Sequence, residues 1–238
     1  MKALILAGGR GKRLDDLSTQ HNKCMIQVNG RPAIEYNLDN AVNAGVDEVI
    51  IVVGYRAEDI INYLGTSYKN KRLRYVIQWE QRGLVHAIEC AREALGGDDF
   101  MLLLGDEIMS NPRHRAMIEE FNKGEVFALC GILWVDNKNL IKRTYTLIQD
   151  ENNRIHRLIE KPRHPLNNYQ GTGDCVFRNA IMNYIEVTPI HHERHEKELP
   201  DLIQCAIDEG QIVKSFIICD RYSNINMKDD ITIAEQFK

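Results

Sequence analysis

Four short runs in the first half of the chain are almost wholly apolar, and they constrain the fold more than any other feature. They are Lys2–Leu6, Glu48–Val53, Leu73–Ile77 and Phe100–Leu104. A strand with one wet face alternates polar and apolar residues, whereas a strand that is apolar throughout has to be covered on both faces. Amphipathic stretches lie between these runs. Pro32, suited to a first helical turn, opens one that extends to about Ala44 and is closed by Gly45. Ala57–Leu64 ends at Gly65, and Leu84–Ala94 is closed by Gly96 and Gly97. Strand and helix in alternation predict an α/β fold: a Rossmann-like, mostly parallel central sheet with helices on both faces.

The second half changes character. Val126–Val135, Thr144–Gln149, Arg154–Ile159 and Gly173–Phe177 are strand-like, with turn residues Asp150 to Asn153 between two of them. Leu199–Ile207 reads as a helix, Val213–Ile218 as a late strand and Ile231–Phe237 as a terminal helix. No repeat or linker separates the halves, so a single domain over residues 1–238 is expected. With 44% hydrophobic and 27% charged residues, the composition excludes a disordered chain, a collagen and a coiled coil. A formal charge of −4 argues against a nucleic-acid surface. No apolar run approaches the ~18–20 residues of a membrane span, and the run Ala3–Ala7 is too short for a signal peptide, so a soluble, cytoplasmic protein is expected. The six cysteines form no C-x-x-C pair and are expected to be reduced core residues.

The stretch from Leu6 to Leu14, Leu-Ala-Gly-Gly-Arg-Gly-Lys-Arg-Leu, carries the most chemistry. Its glycines let backbone N–H groups approach a phosphate chain, and Arg10, Lys12 and Arg13 add positive charge at the carboxyl end of the first strand. Two familiar phosphate loops fail. The dinucleotide fingerprint wants a third glycine where Leu14 stands and an acidic residue after the second strand, which ends Val53-Gly54-Tyr55. A P-loop wants Ser or Thr after Lys12, and Arg13 follows it.

The loop, followed by Asn22-Lys23, resembles the opening signature of the sugar nucleotidyltransferases, which join a nucleoside triphosphate to a sugar 1-phosphate; Asn22 stands where that family usually has Pro. The resemblance runs from Met1 to about Glu235 and is nearest to the thymidylyl and uridylyl branches. It implies a nucleotide-binding half over 1–110 and a sugar-phosphate-binding half over 111–238. In that reading Leu6, Ala7, Gly8, Gly9 and Gly11 hold the nucleotide, with Arg13 and Lys23 stabilising its phosphates. Gln78, five residues before Gly83, keeps the family's spacing for a uracil or thymine edge, which an amide can pair with as donor and acceptor.

Asp106, at the end of the fourth strand, is a hard oxygen ligand of the kind Mg²⁺ takes alongside phosphate oxygens. The resemblance makes it a metal ligand, with Asn224 the second and Asn226 the fallback. Glu160 and Lys161 of Glu-Lys-Pro match the residues for sugar hydroxyls and sugar phosphate, and Gly173 matches the sugar-site backbone. Two departures stand out: Tyr145 replaces the glycine that abuts the sugar, and Gln204 replaces an Arg. Both are expected in the acceptor site, so the nucleotide chemistry is expected to be kept while the acceptor need not be plain glucose 1-phosphate. His191, His192 and His195 are expected in a solvated loop, and Arg113–Arg115 in a surface patch at a helix start. A cytidylyltransferase for a non-hexose phosphate or phosphonate, or a silent nucleotide-sugar sensor, are the competing functions; an assembly of identical chains is compatible with each.

Overall fold

The computed structural model describes residues 1–11 and 22–237. In chain order its strands are β1 (Lys2–Ala7), β2 (Gln27–Val28), β3 (Arg31–Pro32), β4 (Val49–Val53), β5 (Ser67–Tyr68), β6 (Lys71–Ile77) and β7 (Phe100–Leu104). They continue as β8 (Glu107–Ser110), β9 (Ala128–Trp134), β10 (Tyr145–Gln149), β11 (Ile155–Glu160), β12 (Tyr169–Phe177), β13 (Val213–Ile217) and β14 (Arg221–Asn224). The α-helices are α1 (Ala33–Ala44), α2 (Ala57–Leu64), α3 (Leu84–Cys90), α4 (Arg92–Leu95), α5 (His114–Lys123), α6 (Leu199–Asp208) and α7 (Lys228–Glu235).

Eight strands form one sheet in the order β13-β9-β12-β7-β1-β4-β6-β5. The pairs β7–β1, β1–β4, β4–β6 and β9–β13 are parallel; β12 runs antiparallel to both neighbours. The four apolar runs are the four adjacent parallel strands at its centre. Their period of two divides them between two cores. On one face Leu4, Ile50, Val52, Phe100 and Leu102 pack with Val85 and Ile88 of α3 and Leu202 and Ile203 of α6. On the other, Ile5, Ile51, Val53, Met101 and Leu103 pack with Ile34 and Leu38 of α1, Ile60 of α2 and Phe121 of α5. Hydrophobic burial on both faces is what the unbroken apolar strands require.

The helix ends follow the sequence signals. Gly45 is left-handed at φ 87° and its N–H bonds the Ala41 and Val42 carbonyls, while Gly65 closes α2. The structure adds α5, β8 and β14, and starts the last helix at Lys228 in place of Ile231. The helix start expected at Arg113–Arg115 is present with Arg115 exposed, but His114 is corrected from surface to core. His114 is 2% exposed, and its Nε2 lies 2.6 Å from Oδ2 of Asp174, which is fully buried on β12. The stripe Met117, Ile118 and Phe121 turns α5 onto the sheet and takes His114 with it.

Replacing His114 by Ala leaves the Asp174 carboxyl without a side-chain partner in the core. His114→Ala is expected to lose about 3–5 kcal/mol of unfolding free energy in urea titration; a loss under about 1 kcal/mol would mean that the bond contributes little.

Candidate active site

Four parallel strands end at the same edge, and each is followed at once by a residue of the site: β1 by Gly8, β4 by Gly54, β6 by Gln78, and β7 by Gly105 and Asp106. Strand order reverses between β1 and β7, the crevice where open α/β sheets bind ligands. Close approach there demands glycine. A Cβ on Gly8 would stand 2.8 Å from Gln78 Oε1, and one on Gly54 would stand 2.9 Å from the Gly8 carbonyl oxygen. A Cβ on Gly9 would meet nothing within 4 Å, so its backbone faces open space. Leu6 and Ala7 are buried, and Gly11 is left-handed at φ 60°. Arg10 lies over the Tyr55 ring at 5.1 Å. Arg13 and Lys12 fall outside the described residues.

Asn22 replaces the expected proline with an anchor of its own. It is fully buried; its Nδ2 donates to the carbonyls of Ala7 (3.0 Å) and Tyr55 (2.7 Å), and its Oδ1 accepts from Cys24 N–H. The turn so fixed carries Lys23, whose ammonium donates to Asp106 Oδ2, to Asn226 Oδ1 at 2.8 Å and to Asn224 Oδ1 at 3.4 Å. Both asparagines considered as second ligands therefore face Asp106. Buried Asp230, on α7, orders their segment by accepting from the Asn226 and Met227 N–H groups and from the two terminal nitrogens of Arg143. Among the described residues no three His, Cys, Asp or Glu side chains converge as a metal cage. Asp106, Asn224 and Asn226 nevertheless supply hard oxygens around a cation, which suits Mg²⁺ when phosphate oxygens complete its shell.

Lys23 and Asp106 open on a cleft of about 270 Å³ that also contacts Leu6, Gly8, Gly9, Gln78, Gly83 and Glu196. Gln78 Nε2 donates to the Gly83 carbonyl at 3.1 Å and lies 3.0 Å from His86 Nδ1. A carbonyl only accepts, so the amide orientation is fixed and Oε1 is left on the Gly8 side, bonded by no described residue.

A second cavity, of about 160 Å³, shares Leu84 and Leu104 with the first. Tyr145, Glu160, Lys161, Gly173 and Asn224 line it, so the residues expected to hold an acceptor are brought together. Tyr145 is 4% exposed and lies flat against Gly171, where a Cβ would stand 2.1 Å from its Cζ. Its hydroxyl has no partner among the described residues, and burial pushes the phenol well above its ordinary pKa. Lys161 Nζ is 2.7 Å from Glu160 Oε1; burial raises the Glu160 carboxyl, which Lys161 pulls back. Gln204 is not part of this cavity, against expectation: its Oε1 accepts from Leu158 N–H and its Nε2 donates to Asp208, so it ties α6 to β11.

Glu107 escapes sequence reading altogether. It is 2% exposed, accepts from Gly173 N–H at 3.0 Å on both oxygens, and accepts from the Tyr222 hydroxyl at 2.6 Å. Burial, then the nearby Asp174, pushes its carboxyl well above the usual range. The one available signal is a carboxylate opening the otherwise uncharged strand β8. Glu196 was likewise hidden in the histidine-rich loop.

A glycine turn and an ammonium–carboxylate pair stand at the carboxyl edge of the parallel strands, the position at which open α/β sheets bind ligands. The family model described as nucleotidyl transferase matches residues 2–223, and the chain belongs to that family of enzymes. It is 31% identical to the low-salt glycan biosynthesis nucleotidyltransferase Agl11 of Haloferax volcanii over 99% of its length, spanning 65% of that protein. It is 30% identical to the UTP–glucose-1-phosphate uridylyltransferase AglF of the same organism, covering 99% of this chain and 96% of the relative. The UTP-bound UGPase of Acinetobacter baumannii shares the fold, with a TM-score of 0.85 at 24% identity over 98% of this chain and 91% of that one. No helix among the described residues is long and apolar enough to cross a membrane.

A buried hydroxyl without a partner destabilises the protein that carries it. Tyr145→Phe is therefore expected to raise the unfolding free energy of the ligand-free chain by about 1 kcal/mol in urea titration; a loss of stability would show that the hydroxyl is bonded.

Proposed function

We propose that the chain transfers a nucleotidyl group from UTP or dTTP to a sugar 1-phosphate, giving a nucleoside diphosphate sugar and pyrophosphate. The observation that carries the reading is the Lys23–Asp106–Asn224 cluster, whose members line both cavities: Lys23 and Asp106 the first, Asn224 the second. An oxygen of the sugar phosphate attacks the α-phosphorus in line, and the bond from that phosphorus to the bridging oxygen of the pyrophosphate breaks. No covalent enzyme intermediate is required, so positioning and charge neutralisation carry the rate.

In this reading the backbone of Gly8, Gly9 and Gly11, with Arg13, cradles the triphosphate, and residues 1–110 supply most of the nucleotide site. Lys23 neutralises charge developing at the α-phosphate. Lys161 draws in the second phosphate, which the first would otherwise repel, and Glu160 accepts from sugar hydroxyls. Asp106 and Asn224 would hold Mg²⁺, which supplies Lewis-acid polarisation of the phosphate oxygens. The fixed amide of Gln78 supports a uracil or thymine base: its Oε1 accepts from N3–H, whereas cytosine presents a lone pair at N3. That weighs against a cytidylyltransferase.

The test is pyrophosphate release with Mg²⁺, crossing UTP, dTTP and CTP with a panel of sugar 1-phosphates. Release with UTP or dTTP is expected, and Asp106→Ala should lower it by about 10²–10³. Wild-type turnover in Asp106→Ala would remove Asp106 from the chemistry, and binding without release for any acceptor would favour a sensor.

A further inference from the structure

One side chain in the nucleotide cleft has no task in the reaction as proposed. Glu196 comes from the loop before α6, far along the chain, yet it lines the cleft with Gln78 and Gly83. Its contact with Gly83 is tight: a Cβ there would stand 2.7 Å from both Cβ and Oε2 of Glu196. Gly83 is therefore confined to glycine twice over, by its φ of +94° and by the carboxylate against it.

The loop that delivers Glu196 is braced. His191 N–H donates to the Glu196 carbonyl at 2.8 Å, Ile190 and Lys197 form an antiparallel bridge, and Lys197 Nζ donates to the carbonyls of Ile185 and Glu186. The Glu196 carboxylate itself is bonded by no described residue. Partial burial and the neighbouring Glu198 raise its pKa. A partly desolvated acceptor with no donor among the described residues is a penalty in the free protein that a ligand donor would offset.

The ligand's donors are few. A uridine nucleotide offers the N3–H of its base and the two hydroxyls of its ribose. Gln78 Oε1 is placed for N3–H, and an ionised carboxylate can only accept, so the hydroxyls remain. We propose that Glu196 accepts from the ribose 2′- and 3′-hydroxyls and so sets the enzyme to ribonucleotides, UTP in preference to dTTP. This rests on the uridine or thymidine reading above. A 2′-deoxyribose brings one hydroxyl where the carboxylate can take two.

The test compares UTP with dUTP, which differ only at the 2′ position, and uses CTP as a base control. Equilibrium binding to the full chain is measured with Mg²⁺, for wild type, Glu196→Ala and Glu196→Gln. Wild type is expected to bind UTP about 10- to 100-fold more tightly than dUTP, as one hydrogen bond to a charged group would give. Glu196→Ala should bring the two within about threefold by weakening UTP far more than dUTP, and Glu196→Gln should recover part of the difference. Glu196 is only partly buried on a loop, so its replacement should leave the thermal midpoint in place. Equal binding of UTP and dUTP by wild type, or equal weakening in Glu196→Ala, overturns the role of Glu196 and leaves the uridine reading standing. So does a change in the UTP-to-CTP ratio, which would move Glu196 to the base. Failure of all three nucleotides to bind overturns the nucleotide reading itself.

Discussion

The Lys23 ammonium, held by Asp106 and two asparagine amides, joins three distant parts of the chain at one point. Taking an ammonium and a carboxylate out of water is expensive unless the remaining hydrogen bonds are made, and the surroundings are arranged to make them. Asn22 fixes the Lys23 turn against Ala7 and Tyr55. Gly105 N–H bonds the Leu6 carbonyl, and Ile225 N–H bonds the Asp106 carbonyl, so the end of β1, the end of β7 and the end of β14 are mutually fixed. Asp230, in the first turn of the last helix, then holds the asparagine segment. Backbone hydrogen bonds thus fix the segments that carry each member of the pair.

How much of this could be read from residues depends on whether the cause was local. The central strands and α2 were legible because both-face burial and a closing glycine are written in consecutive residues; α2 matches the expected Ala57–Leu64. The start of α7 was not, because Asp230 caps it from within the first turn, a contact with Asn226 and Met227 that no apolar pattern announces. β8 and β14 pair across more than a hundred residues, with Glu107 opposite Asn224, so neither could be seen without the other. Glu107 and Glu196 were missed for the same reason: each is defined by partners elsewhere in the chain. Gln204 erred in the opposite direction, because a position matched by its neighbours in sequence turned out to face β11.

The two cavities also differ in how they are built. The first cleft uses glycines where backbone must meet backbone, and a fixed amide at Gln78. The second cavity uses bulk: Tyr145 fills space against Gly171, and Gly173 is pressed between Leu104 and Glu107. β12 changes register between Gly171 and Cys175, so the strand pairs with β9 at Tyr169–Gly171 and again at Cys175–Phe177 and walls the cavity at Gly171, Thr172 and Gly173. An irregularity beside a binding site is a common way to re-aim a strand.

The hairpin of β10 and β11 forms a two-stranded sheet of its own, with Tyr145 directly opposite Glu160. The side chains that line the second cavity from this hairpin thus hang on a module outside the eight-stranded sheet, whereas those of the first follow its central strands. Leu147, Ile155 and Leu158 of the hairpin share a core with Leu4 and Ile50 of the central strands, so only its outward positions, such as Ile148, can change without disturbing the packing beneath the glycine turns. One wall of the second cavity is thus hung on a two-stranded flap whose outer face answers to solvent alone, while its inner face is held to the same core as the sheet edge.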